Sequence, residues 1–191
     1  DTLENETGGL PGLKGRKVVI TAVASGIGYA IARFFHVQGA QIAICDVNKA
    51  ALKNAKFAMD GCFAFQADVS DEADVKAFFA AVSQDFGGLD ALVNNAGISG
   101  PTVKIEQLSV VEWRHSLDIC LTGQFLCARQ NVPLIKANGG GCLVNIGSAA
   151  SKHGYAFRTP YAAAKFGVIG LTESLAKELG PDNIRVNTIL P

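Results

Sequence analysis

The stretch CLVNIGSAASKHGYAFRTPYAAAK, residues 142–165, is the most informative part of this chain. Its first five residues are a mostly apolar run that predicts a buried strand, and Ser148 stands where that strand ends. Tyr161 begins a helical pattern and Lys165 follows four residues later, so both side chains lie on one face of a helix. A phenol titrates near pH ~10, and a neighbouring cation favours its charged form. The stretch therefore predicts a general acid/base beside a strand end, although such a pair also arises by chance on many helices.

Composition narrows the class of protein. The chain has 191 residues, 49% hydrophobic and 18% charged, which suits one domain with a sizeable core. Its 17 basic and 17 acidic residues cancel, so neither nucleic acid nor a membrane is an expected partner. No apolar run approaches the ~18 residues of a spanning helix. Five cysteines without a CxxC pair argue against a disulfide framework, and a reducing cytoplasm is the expected location.

A strand, a glycine turn and a helix follow one another upstream. Residues 17–21 are an apolar run typical of a buried parallel strand, and Gly26-Ile27-Gly28 follows. Apolar residues then repeat at helical spacing up to Gly39. Backbone N–H groups and the helix dipole at such a turn point at an anion, which makes it a candidate phosphate site. The strict GxGxxG spacing is absent, so the turn alone is a weak signal.

An acidic residue ends the second predicted strand. Asp46 follows the apolar run 41–45 and stands 18 residues past Gly28, where a carboxylate can bind both hydroxyls of an adenosine ribose. No lysine or arginine stands beside it to pair with a 2′-phosphate, which favours NAD over NADP. The alternative, an aspartate that caps a helix beginning near Asn48, stays open.

Further elements complete an α/β pattern. Three more strands and two more helical regions are expected over residues 62–66, 89–93, 183–190, 109–137 and 161–179. Pro133 is expected to kink or interrupt the helical region that contains it. Ser70 is the expected N-cap of the helix that follows it. His115 has no second ligand at metal spacing, so no metal site is expected.

Together these motifs resemble the short-chain dehydrogenase/reductase family, over nearly the whole chain from residue 14 onward. That family opens with T-G-x-x-x-G-x-G, which residues 21–28 match except that Ala22 stands at the first glycine. The run N-N-A-G at residues 94–97 and the order and spacing of Ser148, Tyr161 and Lys165 match as well. The resemblance implies a doubly wound, three-layer Rossmann-type fold of the α/β class with a mostly parallel sheet.

The resemblance also implies an activity: an NAD-dependent oxidoreductase that interconverts an alcohol and a carbonyl. It implies that Tyr161 exchanges the substrate proton, that Ser148 positions the substrate oxygen, and that Lys165 stabilises the tyrosinate and binds the nicotinamide ribose. The implied cofactor-binding residues are Ser25, Gly26, Ile27, Gly28, Asp46, Asp68, Val69, Asn95, Ala96, Gly97, Tyr161 and Lys165. A small-molecule alcohol or ketone is the implied substrate, and a homodimer or homotetramer is the implied assembly.

Cys120 departs from the family pattern. Many members carry at this position the asparagine of N-x-x-G, which belongs to their catalytic set. A thiol is a weak donor and a weak acceptor, so a proton relay through water is expected to be impaired or rerouted. Together with Ala22, Cys120 keeps an alternative open: a relative that binds NAD as a binding module and turns over slowly or not at all.

The segment between Ser148 and Tyr161 is expected to border the substrate, with Ile98 and Ser99 on the other side. It contains Ala150, Lys152, His153, Gly154, Tyr155 and Arg158. Its three basic residues either favour an anionic substrate or are solvated loop charges.

The domain organisation is expected to be simple. Residues 1–14 are predicted to be a flexible amino-terminal arm, and residues 15–191 a dinucleotide-binding Rossmann domain. The family pattern continues beyond a strand such as 183–190 with a substrate loop, further helices and another strand. We therefore expect the carboxyl-terminal part of the fold to be missing here and the sequence to belong to a longer protein.

Overall fold

A six-stranded parallel sheet forms the centre of the protein in this computed structural model, which describes residue 10 and residues 12–191. The strands are β1 (Lys17–Thr21), β2 (Gln41–Asp46), β3 (Phe63–Gln66), β4 (Ala91–Asn94), β5 (Gly141–Ile146) and β6 (Ile184–Ile189). Their spatial order is β3-β2-β1-β4-β5-β6, and each neighbouring pair is parallel. The strand order reverses between β1 and β4, which opens a crevice at the carboxyl ends of these strands.

Helices cover the sheet on both faces. On one face lie α1 (Gly26–Val37) and α2 (Lys49–Ala58), and on the other α3 (Glu72–Phe86), α5 (Gly123–Ala137) and α6 (Thr159–Leu179); α4 (Val110–Leu117) precedes α5. Val19 of β1 joins the core under α3 and α5, whereas Val18 and Ile20 join the core under α1 and α2. Because both faces are covered, the strands are continuous apolar runs. The expected three-layer α/β Rossmann-type fold is confirmed.

The helical region over 109–137 is interrupted at a different place from the one expected. α5 continues through Pro133, and the interruption is a turn of π-helix at Asp118–Thr122, between α4 and α5. Such wide turns inside helices occur frequently at functional sites. Periodicity alone does not reveal one insertion in a helix, because the apolar spacing on either side stays helical.

The expected N-cap Ser70 is wrong by one residue. Asp71 caps α3, and its carboxylate accepts the N–H groups of Ala73 and Asp74 at 2.7 and 3.1 Å. The Ser70 hydroxyl donates instead to Asp68 at 2.6 Å. An aspartate at residue 71 satisfies two first-turn donors with one oxygen, which a serine one position earlier does not.

Most of the predicted arm over residues 1–14 lies outside the described residues, which exclude 1–9 and 11. The N–H of Leu10 donates to the Gln38 side chain at 2.7 Å, at the end of α1. Within the described part of the chain, no helix combines the length and the apolar character that crossing a membrane requires.

Candidate active site

The three predicted catalytic residues meet in a cavity of about 240 Å³ at the carboxyl ends of the central strands. The cavity is lined by Ile27, Asn95, Gly97, Ile98, Ser99, Ile146, Gly147, Ser148, Tyr161, Lys165 and Pro191. It therefore joins Ser148, Tyr161 and Lys165 to the start of α1 and to the segment after β4. The other predicted cofactor residues lie outside this cavity: Ser25, Gly26, Gly28, Asp46, Asp68, Val69 and Ala96.

A larger cavity, of about 540 Å³, lies at the opposite end of the strands. Arg16, Asp90, Asn138 and Gly141 are among its lining residues, and none of the predicted site residues lines it. The volume of a cavity therefore does not identify the candidate site. The smaller cavity is the candidate because Ser148, Tyr161 and Lys165 all line it.

Lys165 is buried next to Tyr161. It is only 3% exposed, and its ammonium donates to the Ile146 carbonyl at 2.8 Å. The same nitrogen lies 5.8 Å from the centre of the Tyr161 ring. Burial lowers the pKa of Lys165, and the nearby Cys120 opposes that shift. The i, i+4 spacing thus places the ammonium beside the phenol, as the sequence predicts.

Ser148 is held in a tight turn after β5. Its N–H donates to the Ser151 hydroxyl, and its own hydroxyl oxygen accepts the N–H of Ala150, both at 3.2 Å. The side chain is only 8% exposed and lines the cavity. Because the hydroxyl accepts in this turn, its proton remains free to be donated to a substrate oxygen.

The N-terminus of α1 differs from those of the next three helices. The side chains of Asn48, Asp71 and Ser109 accept first-turn N–H groups of α2, α3 and α4. Ser25, at the N-cap of α1, accepts none, and the first turn of α1 contains no acidic residue. The orphan N–H groups and the helix dipole therefore suit an anion, and this donor set fits the pyrophosphate of a dinucleotide.

Asn95 ties the glycine turn to the end of β4. Its amide donates to the carbonyls of Thr21 and Ala22 at 3.1 and 2.9 Å. The Thr21 hydroxyl accepts the N–H groups of Asn95 and Ala96 in return. A Cβ at Gly28 would overlap the Ala22 carbonyl oxygen and the Asn95 side chain, so this close approach requires glycine. Thr21 is a structural member of the site that the sequence signals only through its place in the family motif.

Ala22 adopts a backbone conformation that favours glycine, with φ at +56°. We expect Ala22→Gly to raise the free energy of unfolding by about 0.5–1 kcal/mol, because relief of left-handed strain outweighs the added freedom of the unfolded chain. Urea unfolding measures the change. Ala24→Gly, at a position without positive φ, is the matched control and should destabilise. Equal destabilisation by both changes would contradict the strain argument.

Asp46 faces the glycine turn from the end of β2. Its carboxylate accepts the N–H groups of Ala24 at 2.8 Å and Asn48 at 2.9 Å. The side chain that caps α2 belongs to Asn48, which accepts the N–H of Ala51. Each carboxylate oxygen offers more than one lone pair, so Asp46 keeps acceptor capacity for ribose hydroxyls.

Asp68 and Val69 follow β3 at the same edge of the sheet. The Asp68 carboxylate accepts the N–H and the hydroxyl of Ser70 at 2.8 and 2.6 Å. Val69 is buried and packs so closely against Gly123 that a Cβ there would overlap it. These contacts hold both residues in place at this edge of the sheet.

The Cys120 thiol is engaged with the backbone of Ile98. It accepts the N–H of Ile98 at 3.3 Å and donates to its carbonyl at 3.4 Å. Cys120 is fully buried in the π-helical turn, and Ile98 lines the cavity. The thiol thus connects the segment after β4 to the π-helical turn between α4 and α5. That Cys120 impairs a proton relay stays a prediction.

Of the basic residues in the loop before α6, Arg158 is the one brought to Tyr161. Its guanidinium carbon lies 4.5 Å from the centre of the Tyr161 ring, and Nη2 donates to the Ser99 carbonyl at 2.8 Å. Lys152 and His153 are exposed. The i, i+3 spacing of Arg158 and Tyr161 was the signal that could have singled out this arginine.

Comparison with known proteins gives one consistent result. A family model described as short chain dehydrogenase matches residues 16–191. The cis-4-hydroxycyclohexanecarboxylate dehydrogenase of Sinomonas cyclohexanicum is 38% identical over 92% of this chain and 72% of its own. The 2-dehydro-3-deoxy-L-rhamnonate dehydrogenase (NAD(+)) of Sphingomonas sp. (strain SKA58) is 37% identical over 93% of this chain and 71% of its own. The crystal structure of levodione reductase superposes with a TM-score of 0.89 at 36% identity, covering 93% of this chain and 71% of that one.

Proposed function

We propose that this chain, which belongs to the short-chain dehydrogenase family, is an NAD-dependent oxidoreductase. It would interconvert an alcohol and a carbonyl group, with Tyr161 as the general acid/base. The proposal rests on one observation: Ser148, Tyr161 and Lys165 share a cavity that reaches the uncapped N-terminus of α1. Enzymes of this family use a nicotinamide cofactor, which accepts or supplies the hydride when bound. The relatives named above are dehydrogenases and reductases, so a small-molecule substrate follows.

The protein's own contribution is proton transfer and orientation. In oxidation, Tyr161 as tyrosinate takes the proton of the alcohol, and in reduction it returns a proton to the carbonyl oxygen. The Ser148 hydroxyl donates to the same substrate oxygen and holds it in place. The buried Lys165 ammonium lies beside the Tyr161 ring, where it would stabilise negative charge on the phenol oxygen after the proton has left.

We propose that the cofactor occupies the crevice where the strand order reverses. Ser25 to Gly28 would bind the pyrophosphate, Asp46 the adenosine ribose, and Asp68 and Val69 the adenine. The remaining contacts would come from the segment after β4 and from α6, namely Asn95, Ala96, Gly97, Tyr161 and Lys165. In this assignment residues 15–191 act as one dinucleotide-binding unit.

NAD is favoured over NADP by the surroundings of Asp46. Its carboxylate is held at the end of β2 by two backbone N–H groups, and its neighbours Cys45 and Val47 carry no positive charge. A 2′-phosphate at the ribose would meet this carboxylate without a compensating cation. The Sphingomonas relative is itself named for NAD(+).

The test is a titration of the purified protein with NADH and with NADPH, followed by nicotinamide fluorescence. We expect NADH to bind about 10-fold tighter or more, because placing like charges together costs at least ~1.4 kcal/mol. Asp46→Asn should narrow this ratio, whereas Asp60→Asn, an exposed change just beyond α2, should leave it unchanged. Equal affinity in the wild type would contradict the Asp46 assignment. Binding of neither nucleotide would contradict the proposed function for this chain.

We further propose that the protein self-associates as a homodimer or homotetramer. Large apolar side chains stand exposed on its long helices: Val111 of α4 at 76%, Phe125 of α5 at 43% and Phe166 of α6 at 47%. Large exposed apolar side chains on the helices support a protein–protein contact.

A further inference from the structure

Arg158 does not itself line the cavity, but two contacts join it to residues that do. Its guanidinium lies over the Tyr161 ring at 4.5 Å from the centroid, and Nη2 donates to the Ser99 carbonyl at 2.8 Å. Tyr161 and Ser99 both line the cavity, although they lie far apart in the sequence. The phenol oxygen is bonded directly to the ring that Arg158 covers, so the cation stands close to the place where a substrate oxygen reacts.

The charge of Arg158 lacks a partner among the described residues. The ion pairs of that part of the chain are Arg16–Asp90, Lys76–Glu72, Arg129–Glu72 and Lys136–Asp182. Arg158 is partly buried, and its Nε is buried without a hydrogen-bond acceptor. A guanidinium that has lost part of its water and has no carboxylate beside it favours an incoming anion.

The turn that carries Arg158 is strained. Phe157 has φ at +65°, a conformation that bulky side chains rarely adopt, and its side chain is 54% exposed. The N–H of Arg158 closes the turn by donating to the Tyr155 carbonyl, and the N–H of Val103 attaches the turn to another segment by donating to the Phe157 carbonyl. Strain that the surroundings maintain is typical of functional segments. The same turn also carries two exposed aromatic side chains, Tyr155 and Phe157, close to Arg158 in the sequence.

We propose that Arg158 binds a carboxylate on the substrate, so that the alcohol or ketone handled at this site belongs to a small hydroxy or oxo acid with an apolar body. This inference rests on the proposed function and names its substrate class. The carboxylate pairs with the free side of the guanidinium, while the exposed aromatics contact the carbon skeleton. The reacting carbon then lies a few bonds away, within reach of Tyr161 and Ser148.

Two other roles for the loop charges predict different behaviour. If Arg158 only braces the Ser99 segment, its loss weakens charged and neutral ligands equally. If the loop merely attracts anions through its summed charge, removal of Lys152 acts like removal of Arg158, since screened surface charges contribute similarly.

The test compares cyclohexanecarboxylate with cyclohexanecarboxamide, a neutral probe of the same shape, as ligands of the NADH-saturated protein. Calorimetric titration gives the Kd of each probe for the wild type, Arg158→Gln, Arg158→Lys and Lys152→Gln. We expect the wild type to prefer the carboxylate by about 10- to 100-fold, the range for a hydrogen bond between charged groups. Arg158→Gln should abolish this preference, Arg158→Lys should retain part of it, and Lys152→Gln should retain nearly all.

Three outcomes overturn the proposal: no preference in the wild type, a preference that survives in Arg158→Gln, or equal losses in Arg158→Gln and Lys152→Gln. Thermal unfolding of each variant checks folding, and Arg158→Lys keeps the test decisive if the glutamine variant does not fold. The same titrations distinguish failure of the carboxylate site at Arg158 from failure of the proposed oxidoreductase function. Tight NADH binding with turnover of a neutral alcohol, but no carboxylate preference, removes only the present proposal. Absence of NADH binding removes the proposed function itself.

Discussion

Replacing Tyr161 by phenylalanine is expected to lower kcat by about 10²- to 10⁴-fold, the contribution of a positioned general acid/base. The substitution removes one oxygen and leaves the ring, so the stacking of Arg158 and the proximity of Lys165 are kept. The Kd for NADH should therefore change by less than about threefold, which corresponds to under ~0.7 kcal/mol. Steady-state kinetics on the best substrate and nucleotide titration measure the two quantities on the same protein.

Tyr29→Phe, on α1 and away from the proposed chemistry, is the matched control and should retain activity. An unchanged kcat in Tyr161→Phe would contradict the assignment of the general acid/base. A wild-type protein that binds NADH but turns over no alcohol or ketone would instead support the alternative, a relative that acts as a binding module. Cys120 and Ala22 favour this alternative because both depart from the family pattern.

Lys165→Met is expected to lower activity by about 10²-fold or more, as removal of a positioned electrostatic group does, without lowering the free energy of unfolding. Lys165 is 3% exposed, and burial lowers its pKa, so the folded state carries a desolvation cost for this charge. Methionine fills a similar space without a charge. The Ile146 carbonyl that loses the ammonium still accepts the Gln124 side chain at 3.2 Å, so it is not left unsatisfied. Urea unfolding should give an equal or higher stability.

The stability difference between wild type and Lys165→Met should depend on pH. With its pKa lowered in the folded state, Lys165 loses its proton at a lower pH when folded than when unfolded. At a pH between the folded-state and the unfolded-state pKa of Lys165, the unfolded state binds more protons than the folded state. The free energy of unfolding of the wild type therefore rises with pH in the window just below the ordinary lysine pKa of ~10.4. The variant lacks this rise. Lys177→Met, an exposed change on the same helix, is the control and should keep both the activity and the rise of stability with pH. If the free energy of unfolding depended on pH in the same way in Lys165→Met and in the wild type, the lowered pKa of Lys165 would be contradicted.

Local features of the fold could be predicted from the sequence. β1 has the predicted bounds, because a buried parallel strand is an uninterrupted apolar run. α1 ends just before Gly39, which has φ at +78°, as a glycine after an apolar helical pattern indicates. The residue that caps the N-terminus of α3 was predicted wrongly. Ser70 and Asp71 are both residue types that suit an N-cap, and only the folded backbone shows that the Asp71 side chain reaches the first-turn N–H groups.

The sequence by itself determined the family, the glycine turn before α1 and the pairing of Tyr161 with Lys165. Each of these depends on spacing along the chain, and a helix or a strand converts such spacing into direction. The tertiary structure alone decided which distant groups meet. Cys120 binds the backbone of Ile98, 22 residues away, and Arg158 binds Ser99, 59 residues away, while it stacks on Tyr161. Partners so far apart are selected by how the helices pack on the sheet, and no local pattern records that packing.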